Sequence, residues 1–186
     1  VLTFPYIKRI FIDLDDTLVD FMGEFIKLLY GPEKKITPEL LTETDLRLRT
    51  DPSFIDKMWN LVVEAGPQWY ANLPKLPWAD QLLEAANKAC PDVAILTSPG
   101  SREQATIAAF GKIQWSLNEF GKNTIILAKR KYMCASDGAL LIDDNPYYLN
   151  SWGNYCGTPV HLKREWYDYG YTAEEIIEAL LKYSNH

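Results

Sequence analysis

The chain has 186 residues, 47% of them hydrophobic, and a formal net charge of -6; that is enough for one well-buried core with a modest insertion and is not the composition of a disordered chain. A pI near 5.0 argues against a nucleic-acid surface, which needs clustered Lys and Arg, and no run of about 18 apolar residues offers a membrane span. Cys90, Cys134 and Cys156 are odd in number and lack C-x-x-C spacing, so neither a disulfide framework nor a structural zinc site is expected, and the chain reads as soluble and cytoplasmic.

Residues 6–13 read as a first strand. Its near-continuous apolar end, Ile10-Phe11-Ile12, suits a central parallel strand covered on both faces. The strand runs into Asp13-Leu14-Asp15-Asp16-Thr17. Acids this close together after an apolar run repel one another and resist burial unless a cation or a reacting group sits among them. Phe21, Phe25, Leu28 and Leu29 then recur at helical spacing, and Tyr30-Gly31-Pro32 ends that helix. Residues 39–48 and 54–64 carry short helical patterns separated by Pro38, Pro52, Gly66 and Pro67, with no strand among them. After Leu76-Pro77-Trp78, helix and strand alternate. Helices are expected at 79–89, 101–120 and 172–183, and strands at 92–97, 124–128, 139–143 and 159–162.

This order predicts an α/β fold, a three-layer Rossmann-like parallel sheet, with a small helical cap inserted after the first strand. The core is expected to take residues 1–19 and 76–186, and the cap residues 20–75. In such sheets ligands gather at the carboxyl ends of the strands, and the polar residues fall there. Asp13 and Asp15 follow the first strand, Thr97 and Ser98 the second, Lys129 and Lys131 the third, Asp143 and Asp144 the fourth. Each group alone has an ordinary reading: a loop, a helix N-cap, a solvated lysine, a turn. Their occurrence at four successive strand ends points to one catalytic site.

The arrangement resembles the haloacid dehalogenase superfamily of phosphohydrolases, whose motifs are Asp-x-Asp-x-Thr, a Thr or Ser after the second strand, a Lys, and a closing acidic pair. The resemblance implies that Asp13 attacks phosphorus to form an aspartyl-phosphate, and that Asp15 protonates the leaving alkoxide and then activates water. It further implies Mg2+ held by Asp13, Asp144 and the backbone carbonyl of Asp15, with Asp143 beside it or as a further ligand. Thr97 and Ser98 would bind phosphate oxygens and Lys131 would supply positive charge. Lys129 is the fallback, because the spacer from Lys131 to Asp143 is longer than in similar proteins.

Finer details are similar to the 5'(3')-deoxyribonucleotidase family: Asp20-Phe21, Ile95-Leu96-Thr97-Ser98-Pro99, Lys112-x-x-Trp115, Phe120-Gly121, Leu140-Leu141-Ile142-Asp143-Asp144-x-Pro146, and Leu73-Pro74-x-Leu76-Pro77. Asp16 departs from the Gly usual there, and residues 35–70 match poorly. The resemblance implies a Mg2+-dependent phosphomonoesterase acting on (deoxy)nucleoside monophosphates. Phe21, Trp69 and Tyr70, with Phe54, are candidates to stack on a base, though packing in the core of the cap is the favoured reading of each taken singly; Phe21, beside the first motif, is the strongest candidate. Arg47, Arg49 and Arg102 could reach the substrate, but an ordinary surface role is the favoured reading of each. The late aromatics Trp152, Tyr155, Trp166, Tyr167, Tyr169 and Tyr171 read as a packing layer or a homodimer surface rather than a ligand platform. With only His161 and His186, a Ser-His-Asp or His-metal mechanism is not expected. The rival readings are a phosphatase of the same fold acting on another small ester such as a sugar phosphate, and a nucleotide-binding protein without turnover. A phosphatase acting on nucleic-acid ends would need a basic track that this chain lacks.

Overall fold

The computed structural model describes residues 2–4, 6–100, 105–120 and 124–184. Five parallel strands form one sheet: β1 (Arg9–Ile12), β2 (Val93–Thr97), β3 (Thr124–Leu127), β4 (Ala139–Asp143) and β5 (Thr158–His161), in the spatial order β3-β2-β1-β4-β5. β1 is central, with Ile10 opposite Val93 on one side and Leu140 on the other. The first strand is shorter than expected. Lys8 and Arg9 both donate their N–H to the Gly138 carbonyl, so regular pairing starts only at Arg9.

The alternation of side chains divides the core between the two faces of the sheet. Ile10, Ile12, Ile95, Leu140 and Ile142 join one buried cluster with Leu82, Leu83 and Ala86 of α5 (Ala79–Ala89) and with Ile176 and Leu180 of α8 (Ala173–Tyr183). Phe11, Ala94, Leu96 and Leu141 form a second with Leu149 and Trp152 of α7 (Pro146–Gly153). Sheet flanked by helices is the expected α/β architecture. Helix α7 was not expected, because Asn145-Pro146 reads equally well as a turn. Asn145 caps the helix by accepting from the Tyr147 N–H at 3.0 Å, and Pro146 sits at its first position.

Between β1 and β2 the chain forms α1 (Phe21–Tyr30), α2 (Pro38–Thr50), α3 (Pro52–Ala65) and α4 (Pro67–Ala71). Asp20, Thr37 and Asp51 accept the first orphan N–H groups of α1, α2 and α3. Exit and return lie side by side. Leu76 donates to the Leu18 carbonyl at 2.9 Å and Asp20 to that of Pro74 at 3.0 Å. α6 (Ala105–Phe120) follows β2 and packs against α4 and α3. No described helix is long and apolar enough to cross a membrane.

Candidate active site

The carboxyl ends of β1, β2 and β4 open into a cavity of about 310 Å³ whose far side is made by α1 to α4. Asp13 still belongs to the ladder, its N–H donating to Ile142 at 2.9 Å. Its side chain, at the strand's end, reaches the cavity. The chain then turns sharply at Asp16, whose φ of 54° lies in the left-handed region. That conformation explains why glycine suits the position, and Asp is among the residues that tolerate it. The Asp16 carboxylate accepts from the Met22 N–H at 2.9 Å, and its carbonyl accepts from Arg164 Nη1. Burial raises Asp16 to about 7 against the opposing pull of Arg164.

Lys131, only 1% exposed, opens a short 3-10 turn, Lys131–Cys134. Its Nζ lies 2.6 Å from Asp13 Oδ1 and 2.7 Å from Asp143 Oδ2. Burial alone would lower its pKa, but the two carboxylates outweigh burial and hold the ammonium firmly charged. The ring of Tyr148 lies 4.3 Å from the same nitrogen. Lys129, by contrast, is exposed and does not line the cavity.

Asp143 uses its second oxygen to accept from the Asn145 N–H at 2.8 Å, and burial raises it to about 7 despite Lys131. Burial, with Asp16 and Asp143 nearby, lifts Asp144 well above the usual carboxylate range. Asp13, Asp143 and Asp144 bring ligand oxygens within 4.8 Å of one another, an all-oxygen set suited to a hard cation. The charges ask for one. Among the described residues at this end of the sheet, Asp13, Asp15, Asp16, Asp143 and Asp144 face only Lys112, Lys131 and Arg164. A divalent cation would make up the difference.

Asp15 is not part of that carboxylate triad. Its Oδ2 lies 2.6 Å from Lys112 Nζ, while Oδ1 is buried with no partner. Burial raises its pKa, and Lys112 opposes the rise. Thr97 and Ser98, at the end of β2, both line the cavity. Lys112 donates to Thr97 Oγ1 at 3.2 Å and to the Ser98 carbonyl at 2.7 Å. The structure thus brings Asp13, Asp15, Thr97, Ser98, Lys131, Asp143 and Asp144 to one end of the sheet.

Sequence reasoning left Lys112 and Arg164 without roles. Lys112 is 1% exposed in the middle of α6, and its only signal was its place in a matched helix pattern. Arg164 is 4% exposed, 5.5 Å from the Trp78 ring and 4.8 Å from that of Trp166. It lies in irregular chain after β5, where periodicity says nothing.

On the helical side, Phe21 and Tyr70 line the cavity with Met58 and Trp59, which sequence reasoning did not single out. Trp69 does not line it. Its ring packs edge-on against Phe21 at 5.6 Å and Tyr70 at 5.1 Å. Phe54 is buried against Phe25, with the Arg47 guanidinium 3.9 Å over its ring. Arg49, expected at the surface, lines the cavity, ion-paired with buried Asp45 and 5.4 Å from the Tyr167 ring. Arg102 lies outside the described residues. The late aromatics divide: Trp152 packs under the sheet against Phe11, whereas Trp166 and Tyr167 line the cavity and are not merely a packing layer.

Residues 7–158 match the family described as 5' nucleotidase, deoxy (pyrimidine), cytosolic type C protein. No curated protein matches by sequence. Among solved structures, a HAD-superfamily hydrolase from Ehrlichia chaffeensis is similar with a TM-score of 0.53 and 12% identity, over 97% of this chain and 99% of that one. A hydrolase from Pseudomonas syringae is similar at 0.50 and 20% identity, over 92% and 90%. A HAD-hydrolase from Bacillus subtilis bound to magnesium is similar at 0.51 and 12% identity, over 84% and 87%. At such identities the likeness establishes the haloacid dehalogenase-like fold.

Proposed function

This chain belongs to the family of cytosolic type C deoxy (pyrimidine) 5' nucleotidases, and from that membership we propose that it is a Mg2+-dependent phosphomonoesterase of (deoxy)nucleoside monophosphates. The observation that carries the proposal is the convergence of Asp13, Lys131, Asp143 and Asp144 on one buried point, with Asp15 beside them. Asp13 is the nucleophile and becomes an aspartyl-phosphate. Asp15 gives a proton to the leaving alkoxide and takes one from the water that cleaves the intermediate.

Asp13 and Asp144 would hold Mg2+, with Asp143 beside or among its ligands. Bound there, the ion would neutralise phosphate charge and fix its orientation. Lys131 has two carboxylate partners and three ammonium hydrogens, so one remains for a phosphate oxygen. Thr97 and Ser98 add hydroxyl and N–H donors on the β2 side. Helices α1 to α4, within residues 20–75, act as the cap over a core of residues 1–19 and 76–186. Phe21 and Tyr70, with Trp59, are the surfaces on which a base would stack. A cytoplasmic setting belongs to the proposal, since the family is a cytosolic type and Cys90, Cys134 and Cys156 are free thiols.

The test is phosphate release from a panel of 5'- and 3'-nucleoside monophosphates and sugar phosphates, with and without Mg2+. Turnover should favour nucleotides and need the metal. Equal or greater turnover of the sugar phosphates would defeat the nucleotide assignment.

A further inference from the structure

An ammonium group has three hydrogens to donate, and Lys112 has used all of them. Its Nζ lies 2.6 Å from Asp15 Oδ2, 2.7 Å from the Ser98 carbonyl and 3.2 Å from Thr97 Oγ1. Lys131 keeps one hydrogen unclaimed by its two carboxylates. The two buried lysines therefore differ in kind: only Lys131 can take a phosphate oxygen without giving up a partner. Asp15 is equally divided. One oxygen is bound to Lys112, and the other, Oδ1, is buried with no partner. An isolated carboxylate turns readily about its last torsion and exchanges its oxygens. Lys112 removes that freedom.

The chain goes to some length to keep the ammonium there. At Gly111, one residue earlier, a Cβ would stand 2.3 Å from Tyr70 Cβ and 2.6 Å from the Pro67 carbonyl oxygen. α4 can lie this close to α6 only because position 111 has no side chain. The close approach sets the Tyr70 ring 5.3 Å from Lys112 Nζ. Trp115, three residues on, donates to the Leu73 carbonyl at 2.7 Å and ties the same helix to the chain leaving α4.

We infer that Lys112 is the positioning residue of proton transfer: by holding Asp15 Oδ2 it makes Oδ1 the atom that gives and takes the proton. The inference rests on the phosphomonoesterase reading. In the first step a bond forms between an Asp13 carboxylate oxygen and phosphorus, and the bond from phosphorus to the alcohol oxygen breaks. That oxygen leaves with the electron pair and takes the proton from Asp15 Oδ1. In the second step water oxygen bonds to phosphorus, the Asp13–phosphorus bond breaks, and the water proton goes to Asp15 Oδ1. The starting state is restored.

The role is read by the leaving group, which a merely structural lysine would not sense. Lys112→Met should lose roughly 10²- to 10³-fold in kcat on a nucleoside monophosphate, whose alkoxide needs the proton. With 2,4-dinitrophenyl phosphate, whose phenolate leaves unprotonated, the same variant should release a rapid burst of one dinitrophenolate per active site and then stall at the second step. Equal loss on both esters without a burst would overturn the inference. Lys112→Gln, which retains an amide N–H donor without the charge, should show the same pattern with a smaller loss and serves if Lys112→Met does not fold. Crystals of the unaltered protein soaked in inorganic phosphate read the point without any variant. Lys112 Nζ should stay on Asp15, Thr97 and Ser98, and a phosphate oxygen bonded to it would overturn the assignment. Failure of the unaltered protein on every ester would instead sink the phosphomonoesterase reading, a separate result.

Discussion

On one side of the cavity stand Asp13, Lys131 and Asp144, with Asp143 buried behind them; on the other stand Phe21, Met58 and Trp59, with the Asp45–Arg49 pair. The first wall is set by backbone. Strand register fixes where Asp13 and Asp143 leave the sheet, and their ion pairs with Lys131 hold the side chains. The second wall is set by packing of rings, Phe21 stacked on Tyr70 at 5.7 Å and on Phe25 at 6.4 Å. Its arginine is looser, for the Arg49 side chain is 50% exposed. Under the proposed function, such a division would let the reacting groups stay rigid while the surface that selects the ligand varies.

The largest effect should come from the rigid wall. Asp13→Asn is expected to lower turnover by on the order of 10⁴-fold or more, as removal of a nucleophile does. The fold should persist, because Lys131 retains Asp143. Circular dichroism and phosphate release check both halves. Persistent turnover in the purified variant would mean that the nucleophile is another residue.

Next comes the cation. A chelator should abolish turnover and Mg2+ should restore it. At a concentration about 100 times its Kd the ion adds about 2.7 kcal/mol, which in a chain of this length raises Tm by roughly 5–10 °C. Asp144→Asn should remove that rise. A melting curve indifferent to Mg2+ would break the contrast between the walls, since the charge imbalance would then be met some other way.

The same contrast governs what could be read before the structure. Parallel strands announce themselves as apolar runs, and the acids and hydroxyls after them were legible at Asp13, Asp15, Thr97, Ser98, Asp143 and Asp144. Lys131 was preferred to Lys129 on the sequence around it, but what separates them physically is burial, which a loop sequence does not encode. Lys112 was hidden because a lysine on a helix is ordinarily solvated, and its burial depends on Gly111 letting α4 approach. On the helical wall the aromatics were visible but their directions were not. Trp69 and Tyr70 are adjacent on α4, where neighbours point about 100° apart, and only Tyr70 faces the cavity. Arg164 and Tyr167 come from chain with no period at all.

Substitutions on the helical wall should act on selection and leave the chemical step nearly alone. Trp59→Ala and Arg49→Ala are each expected to lower kcat/KM by about tenfold, the value of one good contact. The loss should differ between purine and pyrimidine monophosphates and be absent for a sugar phosphate. A uniform loss across all substrates would show that this wall does not read the base.

Asp45 gives the smallest effect and the sharpest contrast. Burial raises its pKa above the ordinary 3.8, with Arg49 opposing. The folded state therefore disfavours the ionised form, and the chain loses stability as pH rises from the unfolded value through the folded one. At pH 7 the charge is a burden that a neutral isostere would lift. Asp45→Asn should raise Tm at pH 7 by about 1–2 °C, a fraction of a kcal/mol, and give little gain at pH well below 3.8, where the carboxyl is protonated both folded and unfolded. If Tm falls instead at pH 7, the ion pair with Arg49 outweighs burial and Asp45 is held by structure alone. A rise in Tm accompanied by altered nucleotide preference would mark Asp45 as a carboxylate retained against stability for its contact with substrate. Asp143, across the cavity, is paired instead with buried Lys131, so removing its charge would leave that ammonium with Asp13 alone.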